Sequence, residues 1–315
     1  MNDVQNWGLE MQPCARLTMA ERLRTWQDRG RIIRKRLPRI KAAEVILVSY
    51  PKSGRTWLRV MMSHIYHLRY ATPVTELIEF DNLRAINPKI PKILFEHVLH
   101  LPKYLSWQLV RSLPKKKLIF LVRDPRDVIV SYYFHYATRS KVRERLRLGL
   151  PRDVAGTPLA DFALDPRYGL PGVIGFMNCW LKIASRAPQM LLLRYEDVQA
   201  DPKTALRQLC DFLGEQASEA ELEAAVAFTS FEQLQKMERQ HFFGSERMHP
   251  RDDSDPNAFK VRRGKVGGYR DYLDDRQIAM MDDLVASRLC SRFGYARNPG
   301  SGEPALGPTR RRSSG

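Results

Sequence analysis

The chain has 315 residues, of which 43% are hydrophobic, and its 52 Lys and Arg against 35 Asp and Glu leave a net charge of +17. That apolar share excludes wholesale disorder and supports a sizeable core, in one large α/β domain or about two ordinary ones. The longest apolar runs fall far short of the roughly 18 residues of a membrane span, and the N-terminus lacks the apolar stretch of a secretory signal, so the expected compartment is the cytoplasm.

Residues 1–40 read as a basic amphipathic appendage. Met19, Leu23, Trp26, Ile33 and Leu37 recur at helical spacing with arginines between them, and Gly30 sits on the same stripe. Docking on the main domain is the simpler expectation; peripheral contact with an anionic membrane, or with a partner, is the alternative. From Ala43 the pattern changes. Val45-Ile46-Leu47-Val48 is short, continuously apolar and largely β-branched, as a strand buried on both faces must be. A helix follows from about Arg55.

Further strands are expected at 93–95, 118–122 and 190–193, and helices at 125–137, 172–186, 202–213, 219–228 and 274–293. Strands alternating with helices predict a single domain at 41–297 with a central parallel sheet flanked by helices. The stretches 138–172 and 241–263, rich in Pro, Gly and charge, read as mobile loops, and 298–315 as a disordered basic tail. Cys14, Cys179, Cys210 and Cys290 lie far apart without a Cys-x-x-Cys pair, and no His-Glu-x-x-His occurs, so reduced thiols and no metal are expected.

A basic chain meets nucleic acid, an anionic membrane or small polyanions. No RRM, zinc-finger or basic-zipper spacing is present, which argues against nucleic acid. Three segments point instead to a small polyanion. Pro51-Lys52-Ser53-Gly54-Arg55-Thr56-Trp57 follows the first strand and opens a helix, where free backbone N–H groups and the positive end of the helix dipole meet an anion. The spacing Gly-x4-Gly-Lys-[Ser/Thr] of ATP and GTP loops is missing. Arg123, in Val122-Arg123-Asp124-Pro125-Arg126-Asp127, emerges at the carboxyl end of another strand, and Ser131 follows two turns into the next helix. An ion pair of Arg123 with Asp124 or Asp127 is the purely structural alternative. The third segment, Phe259-Lys260-Val261-Arg262-Arg263-Gly264-Lys265-Val266-Gly267-Gly268-Tyr269, is a basic glycine-rich loop able to close over a phosphate, with a solvated charge run as the plain alternative.

Together these segments resemble the cytosolic-type sulfotransferases, which use 3′-phosphoadenosine 5′-phosphosulfate (PAPS) as donor. The resemblance covers about residues 43–295 and implies a P-loop-NTPase-like α/β fold. The first segment is similar to the family's PKSGTTW loop for the 5′-phosphosulfate, with Arg55 in place of the first threonine and Lys52, Ser53, Gly54, Thr56 and Trp57 retained. Arg123 and Ser131 match the family's 3′-phosphate pair, and Arg262-Arg263-Gly264 its Arg-Lys-Gly cluster. Gly267-Gly268-Tyr269 departs from the usual Gly-Asp-Trp. Tyr195 in Tyr195-Glu196-Asp197, and Thr229 and Phe231 in Thr229-Ser230-Phe231, resemble its adenine contacts.

The resemblance implies that Lys52 steadies the charge growing on the leaving oxygen. It also makes His97 the general base, where the family has Lys-Thr-His; Phe95 stands where that lysine would be, and Glu96 and His100 are nearby alternatives. The expected acceptor is a small-molecule, carbohydrate or lipid hydroxyl; Phe134, Tyr136, Phe176, Trp180, Phe242 and Phe243 are candidates to frame it, or else simply pack the core. The family's C-terminal dimer motif is not evident, which leaves the oligomeric state open. A P-loop nucleotide kinase and a non-enzymatic basic adaptor are the alternative functions.

Overall fold

The computed structural model describes residues 19–97, 103–245, 248 and 259–295. In chain order, α1 (Met19–Ala42) leads into β1 (Val45–Ser49), α2 (Arg55–Tyr70), β2 (Ile93–Glu96), α3 (Lys103–Ser112), β3 (Lys117–Val122) and α4 (Pro125–Phe134). Then come α5 (Val142–Arg147), α6 (Leu159–Leu164), α7 (Leu170–Ala184), β4 (Gln189–Arg194), α8 (Tyr195–Ala200) and α9 (Pro202–Leu213). The last helices are α10 (Glu219–Phe228), α11 (Phe231–Arg239) and α12 (Asp275–Arg288).

The strands form a parallel sheet in the order β2-β1-β3-β4. Successive strand residues point to opposite faces. Ile46, Val48, Leu94, Leu118 and Phe120 therefore enter one core with α3, α4, α7 and α12, while Val45, Leu47, Ile93, Ile119 and Leu121 enter a second with α2, α9 and α10. β1 is buried at all five positions because both its neighbours and both its faces are covered. The expected central parallel sheet flanked by helices is the observed architecture.

Several boundaries differ from the pattern-based expectations. The helix expected at 125–137 ends at Phe134, and His135–Arg139 widens into a π-turn. The expected 274–293 helix stops at Arg288, before a 3-10 turn at Ser291–Phe293. The stretch 138–172 is not a bare loop: it holds α5 and α6 and buries Leu148, Leu150, Val154 and Phe162 in the first core. Its Pro and Gly residues only interrupt the helices. Three helices, α3, α8 and α11, were hidden because each is short and interrupted by polar residues.

α1 runs to Ala42 without a break at residue 40, with Ile40 fully buried and Ile32, Ile33 and Leu37 packed on the first core. Among the described residues no helix is long and apolar enough to cross a membrane. Cys210 is buried and Cys179 and Cys290 half-buried, all as free thiols. Cys14, His100 and the 298–315 tail lie outside the described residues.

Candidate active site

The chain leaves β1 for β2 on one side and later crosses to β3 on the other, so the connections at the carboxyl ends of β1 and β3 diverge and open a crevice. A cleft of about 1240 Å³ occupies this position. Lys52, Gly54, Arg55, Thr56, Trp57, His97, Arg123, Ser131, Tyr195, Thr229, Phe231, Arg262, Arg263 and Gly264 all line it. Of the residues expected to bind the donor, Ser53 alone is not on its wall; its side chain is buried and its N–H donates to the Tyr50 carbonyl.

The loop after β1 is strained into shape. Lys52 and Gly54 have φ of 75° and 96°. A Cβ on Gly54 would stand 2.5 Å from the Tyr195 ring, so glycine is required both for the left-handed backbone and for the close approach. Gly54 caps α2 without a side-chain hydrogen bond, which leaves the helix's first N–H groups facing the cleft. Trp57 Nε1 donates to the Thr229 carbonyl at 3.1 Å and its ring meets Tyr195 edge-on, tying this loop to the turn before α11. Burial, then Arg139, Arg262 and Arg123, pull the Lys52 ammonium down to a pKa of about 8.

Arg123 lies 4.3 Å over the Tyr195 ring and donates to the Lys265 carbonyl at 3.0 Å, so it bridges the adenine-like aromatic and the basic loop. Its Nε is buried without a hydrogen-bond partner, an orphan donor beside the cleft. Asp127 is 3.4 Å from Arg123, and also accepts from the N–H groups of Gly267 and Tyr269 at 2.8 and 3.0 Å. The structural ion pair and the cleft position thus coexist: Asp127 clamps the glycine-rich loop against α4 and orients Arg123. Burial raises the Asp127 pKa despite the neighbouring Arg123.

The same loop is pinned at its other end by Glu238 of α11, which is fully buried. It accepts from the backbone N–H groups of Lys260 and Val261 at 2.6 and 3.0 Å, and pairs with Arg139 of the π-turn at 3.2 Å. Arg262 stacks over Phe134 at 4.4 Å and donates to the Tyr272 hydroxyl, which Arg263 also reaches at 3.0 Å. Gly264, at φ 60°, leaves no room for a Cβ beside Phe231, at 2.9 Å from the ring.

His97 follows β2 directly. Its Nδ1 lies 2.9 Å from the Ser49 carbonyl oxygen. A carbonyl only accepts, so Nδ1 carries the proton and Nε2 is the basic nitrogen. Glu96, the nearest carboxylate in sequence, is bound to Arg36 of α1 at 2.6 Å, and burial raises its pKa against the opposing pull of Arg36 and Arg55.

A model of the sulfotransferase domain matches residues 42–293. The chain belongs to the sulfotransferase family. It is 26% identical over 278 residues to flavonol 3-sulfotransferase of Flaveria bidentis, covering 82% of this chain and 86% of that protein, and 25% identical over 263 residues to sulfotransferase 2A6 of Mus musculus, covering 79% and 85%. Among solved structures, mouse sulfotransferase SULT7A1 complexed with PAP overlays with a TM-score of 0.52 at 21% identity, covering 78% of this chain and 84% of that one. Retinol dehydratase in a complex with retinol and PAP overlays at 0.54 with 22% identity, covering 79% and 81%. This sulfotransferase is therefore an enzyme of sulfuryl transfer, on the expected α/β fold.

Within the sulfotransferase, the aromatics expected to frame an acceptor divide sharply. Phe176, Trp180 and Phe243 are buried in cores and Phe242 packs on Phe228 and Phe243; only Tyr136 reaches the cleft. Phe134 instead lies under Arg262. Sequence reasoning missed Arg139, Glu238 and Lys260 as site residues. A signal existed for Lys260, which lies within the basic segment itself; none existed for Glu238, a single acid in a helix whose partners come from elsewhere.

Proposed function

We propose that this cleft binds PAPS and transfers its sulfuryl group to the hydroxyl of a small-molecule, carbohydrate or lipid acceptor in the cytoplasm. One observation carries the proposal: Lys52, Arg123 and Arg262, from segments far apart in sequence, face one cleft at the switch point of a parallel sheet. The residues present suit such a ligand. The Tyr195 and Phe231 rings, packed against Gly54 and Gly264, stand on the cleft wall where a base can stack on them, and Arg123 Nε offers an unmet donor. PAPS supplies an SO₃ group on a phosphate leaving group, with about four negative charges to be matched.

Arg123, Ser131, Arg262 and Arg263 hold the 3′-phosphate, and the N–H groups of the loop through Ser53, Gly54, Arg55 and Thr56 hold the 5′ end. Trp57, Tyr195, Thr229 and Phe231 flank the adenine. Transfer of this kind passes through a loose in-line transition state, so positioning and charge dominate. Lys52 stabilises the charge developing on the leaving oxygen, and His97 Nε2 takes the acceptor proton while Ser49 holds the ring.

Differential scanning of the full chain tests this: PAP raises Tm whereas Mg-ATP does not, and labelled sulfate passes from PAPS to hydroxylated compounds. A shift with Mg-ATP and none with PAP would replace the proposal by the kinase reading. Pulldown on anionic vesicles reports separately on membrane contact by α1.

A further inference from the structure

Beyond the residues assigned to the donor, the cleft that holds His97 carries more positive charge than a neutral acceptor requires. Arg36 and Arg39 of α1, Arg55 and Arg59 of α2, Arg139 of the π-turn and Lys260 all line it, against Glu79, Glu96 and Glu144. Arg36 is paired with Glu96 at 2.6 Å, Arg59 lies 3.7 Å from Glu79, and Arg139 is paired with Glu238 at 3.2 Å. Lys260 has no carboxylate within ion-pair distance among the described residues; its ammonium touches the Met248 sulfur at 3.9 Å. Burial and the nearby Lys52, Arg139 and Arg59 bring its pKa down to about 7. Arg39 is stacked 5.6 Å over Phe80. Ile32, Phe80 and Phe95 supply the apolar part of the same wall.

A neutral apolar acceptor filling this space would strip the remaining water from Lys260 and offer its unpaired ammonium nothing in return. An acceptor bearing an oxyanion reverses the sign. It also meets local compensation for the charge of a polyanionic donor bound alongside, which would otherwise repel it.

We propose that the acceptor is a hydroxyl compound carrying its own carboxylate, phosphate or sulfate, held on this wall with Lys260 as the central contact. Lys260 is a binding residue in this account, and its ammonium form is favoured when the anion is present. This acceptor class presupposes the donor site proposed above.

The test uses the full chain, PAPS, and matched probe pairs differing only in the anionic group, such as 4-(hydroxymethyl)benzoate against its methyl ester and glycerol 3-phosphate against glycerol. Anionic members are expected to show a kcat/KM about tenfold or more above their neutral counterparts near 0.05 M salt, with the advantage shrinking near 0.5 M. Calorimetry on the PAP-loaded chain should give the same order of affinities, with proton uptake near pH 7.5 for the anionic probes alone. Lys260→Gln should cut the anionic-to-neutral ratio about tenfold and Lys260→Arg restore it, the ratio being read at saturating PAPS. No anionic advantage in any pair, silent pairs included, overturns the acceptor class, as does a ratio unmoved by Lys260→Gln. Failure of PAP to bind at all removes the donor site instead, so the two failures are distinguishable.

Discussion

The two sides of the cleft are assembled in different ways. On the proposed donor side, short contiguous runs after β1, after β3 and before the 3-10 turn at Gly268–Asp271 each bring several groups together, and Asp127 and Glu238 clamp the last run in place. On the wall around His97, single side chains arrive from α1, α2, the end of β2, the π-turn and Lys260. The difference teaches that one strand-loop-helix unit suffices to recognise a phosphate, because backbone N–H groups and a helix dipole come with the geometry. Placing a base beside separate cations needs distant elements packed to one another. The donor side is thereby bound to the fold itself, and the other wall is free to vary with the acceptor.

Variants on each side sharpen this contrast. The largest effect is expected for His97→Ala, with single-turnover transfer falling about 10²–10⁴-fold and PAP affinity unchanged by calorimetry. An unaltered single-turnover rate would remove His97 from the chemistry. Next, Arg123→Ala should weaken PAP binding about 10–100-fold through loss of charge-assisted hydrogen bonds. Equal calorimetric affinities in the two proteins would break the assignment of the donor side.

A smaller effect is expected at Lys52, in the loop after β1. The Lys52 ammonium titrates near 8, and a bound anion favours its charged form, so PAP affinity should be highest below that pH and fall as the proton leaves. The decline should reach about tenfold at most between pH 7 and 9 and be absent in Lys52→Gln; a slope surviving in that variant assigns the titration elsewhere. Smallest is Trp57→Phe, which loses the hydrogen bond to the Thr229 carbonyl and should cost about 1 kcal/mol in urea unfolding. No loss of stability would mean that this tie between α2 and the turn before α11 is energetically idle.

Much of this was legible before any coordinates. Uninterrupted apolar runs located the strands, because a strand covered on both faces has no polar side to show, and Pro125 and Pro202 marked helix starts where their missing N–H costs nothing. The π-turn was illegible: the periodicity through His135 looks helical, and only its packing sets Arg139 toward Glu238. For Phe176 and Trp180 the choice between framing an acceptor and packing the core was open, because an aromatic ring near a loop and one in a core have the same local pattern, and the structure places both in the core.

From the sequence by itself came the strands, their parallel arrangement, the basic glycine-bearing loops and the family they resemble, since these depend on patterns among near neighbours in the chain. Tertiary structure alone decided which cations share a cavity, that Ser49 orients His97, and that Glu238 secures the basic loop. Those are pairings across long stretches of chain, set by how helices pack on the sheet, and a linear pattern carries no record of such distances.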